Sequence, residues 1–204
     1  MNANKIIIRA FLTTLASVAL LFLFMVGALV CVYPQSMMKI TYNLGMENSS
    51  IWFAEVSYDR SKDVYYIAYA TEVAIGEKDY KKIDTCGSRM IKDKAFTNYC
   101  EELNGDASVS SSLSYENYVY GQVCIAKYKR NKANDAIALA FDSVGNAFPK
   151  NNAVVAMLVT ALQTEDEETI AVIKGKMEEL KLTSEMSVED GEYFDAVFKL
   201  LQSE

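Results

Sequence analysis

Apolar residues along this chain recur at three- and four-residue spacing almost throughout, the period of a helix facing a core rather than that of a strand. The exception comes first. Residues 10–33, "AFLTTLASVALLFLFMVGALVCVY", are 24 consecutive positions without a charge. At a rise of about 1.5 Å per residue such a helix is roughly 36 Å long, enough to cross a hydrocarbon core of about 30 Å. It reads as a transmembrane helix behind a short basic tail, residues 1–9. Beyond it the period predicts helices over 36–46, 50–59, 63–76, 79–103 with a break near Gly87 or Asp93, 114–130, 133–147, 152–162, 165–181 and 188–202. The fold class expected is all-α.

Start and stop signals sharpen several of these. Thr164 with Glu167 has capping-box spacing, and Glu165, Asp166, Glu167 and Glu168 put negative charge at the positive end of a helix. Ser187 before Glu189 and Asp190 follows the same logic. The longest aperiodic stretch, "NGDASVSSSLS" at 104–114, predicts a flexible surface loop inside one helical domain, 34–204.

The apolar run has a competing reading as a cleavable signal peptide, with Lys5 and Arg9 as its basic region and Val26 and Ala28 near a cleavage site. The run continues past Ala28, and h-regions are only about 7 to 15 residues long, which favours a retained anchor. Lys5 and Arg9 precede the span and only Lys39 follows it closely, so the positive-inside rule predicts an extracytoplasmic body at the cell membrane. All 27 Asp and Glu lie after residue 33, with all but two of the 20 Lys and Arg. That acidic balance argues against nucleic acid as a partner. Cys86, Cys100 and Cys124 form an odd set without a CxxC, so they read as small residues in helix interfaces and not as a disulfide framework.

One stretch repeats. With Asn117 as position 1 of a 34-residue frame, Tyr120 falls at 4, Val123 and Cys124 at 7 and 8, Lys127 at 11, Ala136 at 20, Ala140 at 24 and Pro149 at 33. A step of 34 residues puts Val154, Met157, Leu158, Ala161 and Ile170 at corresponding positions. Upstream, Val64 to Ile91 fits with one inserted residue, its "GEKDYKKI" resembling a turn opened by Gly76 with Tyr80 packing back. Leu44 and Gly45 mark a shorter fragment. Residues 40–182 therefore resemble the tetratricopeptide-repeat (TPR) family in degenerate form, with Lys174 charged where the family is aromatic. The resemblance implies an α-solenoid of helical hairpins whose first helices line a concave protein-binding groove, closed by a C-terminal capping helix.

Catalytic chemistry has few candidates. The chain has no histidine, which removes the commonest general base, the Ser-His and Cys-His pairs and most zinc sites. Phosphate-binding glycine motifs are absent, and "EDGE" at 189–192 lacks the alternating ligands of a calcium loop. The expectation is a protein without enzymatic activity, catalytic residues, metal, cofactor or small-molecule substrate. Two surfaces are candidates for binding a partner protein. The first is the aromatic region of Trp52, Phe53, Tyr58, Tyr65, Tyr66 and Tyr69; the family geometry would turn Tyr66, Ala70 and Val73 to the groove and pack Tyr65 and Tyr69 between helices. The second is "KYKRNK", whose Lys127, Lys129, Arg130 and Lys132 would suit an acidic tail or a phosphate. The function expected is a membrane-anchored scaffold or assembly factor. The alternatives are a structural subunit of a larger membrane complex and a secreted helical protein.

Overall fold

The computed structural model describes residues 3–105, 114–143 and 153–183, with Glu192, Ala196 and Lys199. Every regular element among the described residues is helical. They fall into two units, residues 1–62 and 63–204. Most of the expected helix over 188–202, most of the 104–114 loop, the Ser187 cap and Pro149 lie outside the described residues.

The first unit opens with α1 (Ala3–Val32). Its apolar segment Ile8–Ala28 is long enough to cross a membrane, and none of it is buried. Thr13 and Thr14 donate their hydroxyls to the carbonyls of Arg9 and Ala10 at 2.7 and 2.9 Å, so neither leaves a polar group unsatisfied along the apolar surface. Pro34 sets the next boundary. It stands at the first position of α2 (Pro34–Asn43), where its missing N–H costs nothing. A turn through Gly45, at φ +68°, leads into α3 (Glu47–Ser61). The two helices form a hairpin, joined by a buried bond from the Ser50 hydroxyl to the Met38 carbonyl at 2.9 Å. Leu44 and Gly45 are exposed in this turn.

In the second unit Asp63 caps α4 (Val64–Gly76), its carboxylate accepting from the Tyr65 N–H at 3.0 Å. Asp79 caps the short α5 (Tyr80–Lys82), accepting from the N–H groups of Lys81 and Lys82. The helix then widens into a π-helical turn, Ile83–Gly87, and continues as α6 (Ser88–Ile91). Tyr80 lies at the surface and Ile83 supplies the buried side chain, so the expected inward packing of Tyr80 does not occur. The interruption near Asp93 is real: Asp93 accepts from the Ala95 N–H at 2.9 Å before α7 (Phe96–Gly105) begins.

Two further helical hairpins complete the described fold, α8 (Tyr115–Lys129) with α9 (Ala133–Asp142) and α10 (Ala153–Gln163) with α11 (Glu167–Thr183). α10 packs on both α8 and α9. Cys124, Ala136, Ala140, Val154, Met157, Leu158, Ile173 and Met177 form one buried cluster. Each large apolar member contributes roughly 1.5–3 kcal/mol by leaving water. The small residues at 124, 136 and 140 let the helices approach closely enough to shut the cluster. Asp166, not Thr164, caps α11: its carboxylate accepts from the Thr169 N–H at 3.0 Å. The Thr164 hydroxyl turns back to the Thr160 carbonyl at 3.0 Å and meets the Tyr128 hydroxyl at 2.8 Å.

Candidate functional site

The basic run at the end of α8 finds its partner 43 to 48 residues upstream. The π-helical turn abuts α8, and the contact depends on Gly87: a Cβ there would lie 2.3 Å from Cγ2 of Val123. Widening the helix by one residue turns Asp84 inward, where its side chain is only 4% exposed. Lys127, in the last turn of α8, donates to its Oδ1 at 2.6 Å, and Lys132 donates to Oδ2 at 2.9 Å. Arg130 also donates to Oδ2. The Ser88 hydroxyl approaches Oδ1 at 3.4 Å. Exposure of the three cations rises from 15% for Lys127 through 28% for Arg130 to 40% for Lys132. Lys129, the fourth, is exposed and makes no bond to Asp84.

Burial pushes the Asp84 carboxyl upward, but hydrogen bonds and charge from Lys127 and Lys132 outweigh it and hold the group below the usual range. A carboxylate so held stays ionised at neutral pH and is a poor proton acceptor. Its chemistry is that of a clasp between the π-helical turn and the α8–α9 turn. Three of the four cations read from sequence as a partner-binding patch are therefore brought together, but on the chain's own carboxylate.

A second polar cluster joins α4, α7 and α8. The Tyr115 hydroxyl donates to Oε1 of Glu72 at 2.7 Å. The Tyr115 ring stands edge-on to Tyr99, with centroids 6.2 Å apart, and tilted beside Tyr118. Burial, reinforced by the Glu72 charge, drives the Tyr115 phenol well above its ordinary range and Tyr99 up to about 12. Burial likewise raises the thiols of Cys100 and Cys124 to about 12. None of these groups supplies a nucleophile at neutral pH, because thiolate and phenolate are the reactive forms. Cys86, Cys100 and Cys124 are all buried and unbridged. The Tyr115–Glu72 bond was not anticipated; the only local signal was Tyr115 and Tyr118 at one-turn spacing.

The aromatic candidates are divided. Trp52, Phe53 and Tyr58 lie on α3 in the first unit, and Tyr65, Tyr66 and Tyr69 on α4 in the second. Ala70 and Val73 are buried, so neither offers surface to a partner. Tyr66 is half-buried, its ring edge-on to Tyr65 at 5.4 Å. Tyr65 is exposed rather than packed between helices. Before its last two residues α4 buries all but one stripe, Tyr65, Tyr66, Tyr69 and Glu72, so of the three residues expected to face a groove only Tyr66 lies on it.

Open space in the second unit includes a cleft of about 270 Å³ between α6 and α9 and two larger ones beside the α8–α9 and α10–α11 turns. One cleft of about 440 Å³ is bounded by Asn131, Lys132, Asn134, Asp135, Asp166 and Glu168, with Ile137 and Val172 as its apolar part. A second, of about 400 Å³, shares Asn131, Ala133 and Asp166 with it and extends to Tyr128, Lys129 and Thr164. Asn131 and Glu165 adopt left-handed backbone in the two turns, φ 58° and 53°. The Tyr128 hydroxyl bridges the turns by donating to Oδ2 of Asp166 at 2.7 Å. Among the described residues no group of three or more Cys, Asp or Glu side chains is placed to hold a metal. No family model, curated protein or solved structure matches the chain.

Proposed function

We propose that this chain is a single-pass membrane protein whose helical body holds a segment of a partner protein beside the membrane, as a scaffold or assembly factor without catalysis of its own. α1 is the anchor, and the body lies on the extracytoplasmic face by the positive-inside argument. The hairpins act as a degenerate TPR-like α-solenoid, with the anchor raising the local concentration of whatever docks.

The observation that carries this reading is the pair of adjoining clefts of about 440 and 400 Å³ along the α8–α9 and α10–α11 turns. Asn131 and Asn134 offer side-chain donors and acceptors to an extended backbone, while Ile137 and Val172 offer apolar contact. This surface takes the place of Ala70 and Val73, which are buried, and of Lys127 and Arg130, which are spent on Asp84; Lys132 pairs with Asp84 and also borders the first cleft. Lys129 lines the second cleft, and Tyr66 on α4 remains an outlying member of the candidate set.

A photo-cross-linking side chain introduced at Asn134 or Glu168, and at exposed Glu178 as control, tests the assignment in cells. The reading expects defined protein adducts from the two cleft positions and none from 178. Equal adduct patterns from all three positions, or none from the cleft, would sink it.

A further inference from the structure

Charge and exposure are distributed unevenly in the first unit. Between residues 10 and 46 the chain carries a single charge, Lys39. That run, broken only by Lys39, passes beyond α1, through α2 and into the turn that follows it. Tyr33, Ile40, Tyr42, Leu44 and Met46 each leave about half or more of their surface exposed. In the second unit, only four large apolar side chains among the described residues are exposed to a comparable degree: Tyr65, Tyr80, Val159 and Val172. The apolar surface outside α1 is therefore concentrated beside the end of the apolar helix.

The hairpin is tied to that end twice. Tyr33 and Pro34 join α2 directly to α1, and the Arg60 guanidinium, in the last turn of α3, donates to the Cys31 carbonyl near the end of α1. α2 has ten residues, about 15 Å of helix, and it is the one element between the end of α1 and the exposed turn at 42–46. Pro34, Met38 and Thr41 are buried within the hairpin, which leaves Ile40, Tyr42 and the turn facing outward. Exposed tyrosines with Leu, Ile and Met, next to a membrane helix and with one lysine as their only charge, are the composition of a bilayer's headgroup boundary.

We propose that the α2–α3 hairpin lies along the bilayer surface, with its turn, Tyr42 to Met46, seated among the lipid headgroups and upper acyl chains. The occupant of this apolar surface is lipid, argued from its continuity with α1. The inference rests on the membrane-anchor reading. It adds that the first unit is embedded at the interface and does not stand clear of it.

Trp52 is the sole tryptophan, so Trp52→Phe gives a silent background for single-tryptophan reporters in the full chain. Leu44→Trp and Met46→Trp report on the turn, Phe22→Trp on the anchor, and Tyr80→Trp on the second unit. Each is reconstituted in phosphatidylcholine vesicles with or without acyl-chain bromine, after its helical content is matched to the unaltered protein by circular dichroism. The expected result is blue-shifted emission from both turn reporters and lipid quenching at least about twofold greater than for Tyr80→Trp, with Phe22→Trp quenched most. Turn reporters quenched no more than Tyr80→Trp, while Phe22→Trp is quenched, would overturn the interfacial hairpin and leave the anchor standing. Turn reporters shielded from both lipid bromine and aqueous acrylamide would show protein covering the patch, and would also overturn it. An unquenched Phe22→Trp would remove the anchor reading and this inference with it.

Discussion

Replacing Asp84 with asparagine keeps the volume of the side chain but removes the anion on which three cations converge. A charge-assisted hydrogen bond contributes about 1.5–3 kcal/mol, and stripping one partner from a fully buried ion pair costs about 3–5 kcal/mol. The exposures of the cations set the discount. Lys132, at 40%, swings into water at small cost, and Arg130, at 28%, follows in part. Lys127, at 15%, has the least access to solvent and is left beside an uncharged amide. The net expectation for Asp84→Asn is about 2–4 kcal/mol of destabilisation. Lys127→Met should cost only about 1 kcal/mol, because the carboxylate keeps Arg130 and Lys132. Lys129→Met should fall within about 0.5 kcal/mol of the unaltered protein. Urea unfolding of the full chain in detergent, followed by circular dichroism, ranks the three.

The pH dependence supplies an independent reading. The folded Asp84 carboxyl is held below its unfolded value of about 3.9, so its contribution is complete above that value and is lost as pH falls through the folded one. Asp84→Asn should therefore flatten the loss of stability below about pH 4. A cost for Asp84→Asn no larger than that of Lys127→Met, or an unchanged acid limb, would refute the clasp.

Other outcomes follow from single contacts. Gly87→Ala should destabilise by about 1–3 kcal/mol through the collision with Val123; thermal melts of Gly87→Ala in a Val123→Ala background should recover part of that loss. Tyr115→Phe removes the donor to Glu72 and should cost about 1 kcal/mol by urea titration, since the half-buried carboxylate regains some water. In a Cys31→Ser chain, a hydrophilic maleimide should label Cys86, Cys100 and Cys124 only as fast as the protein unfolds, read by mass spectrometry across a denaturant series; rapid native-state labelling would contradict their burial.

How much of this molecule was legible in advance depends on how far apart the interacting residues lie. The helical period of 3.6 gave the all-α class, the uncharged run gave α1, and Pro34 ended it, because these are properties of adjacent residues and their own dihedrals. The interruption near Asp93 was visible for the same reason, whereas at Gly87, the other position expected for a break, the helix runs on through a π-helical turn. The cap of α11 already escaped that logic. Thr164 and Asp166 both qualify as caps by type, and Asp166 is the one that bonds the helix, while Tyr128, 36 residues from Thr164, meets its hydroxyl.

The candidate site was less legible still. Four cations in six residues announce a charge cluster, but whether it faces solvent or an internal anion depends on which helix abuts α8. That is decided by the missing Cβ of Gly87 and the inward turn of Asp84 in a π-helical segment with no sequence period of its own. The same holds for α4, whose apolar composition is nearly continuous, so the face left bare was set by its neighbours and not by its pattern. By itself the sequence determined which segments are helical and which one is apolar enough for a membrane, because those follow from local geometry and transfer free energy. Only the tertiary structure decided which charges are spent inside and which surfaces remain, because desolvation and ion pairing act between residues that the chain brings together from dozens of positions apart.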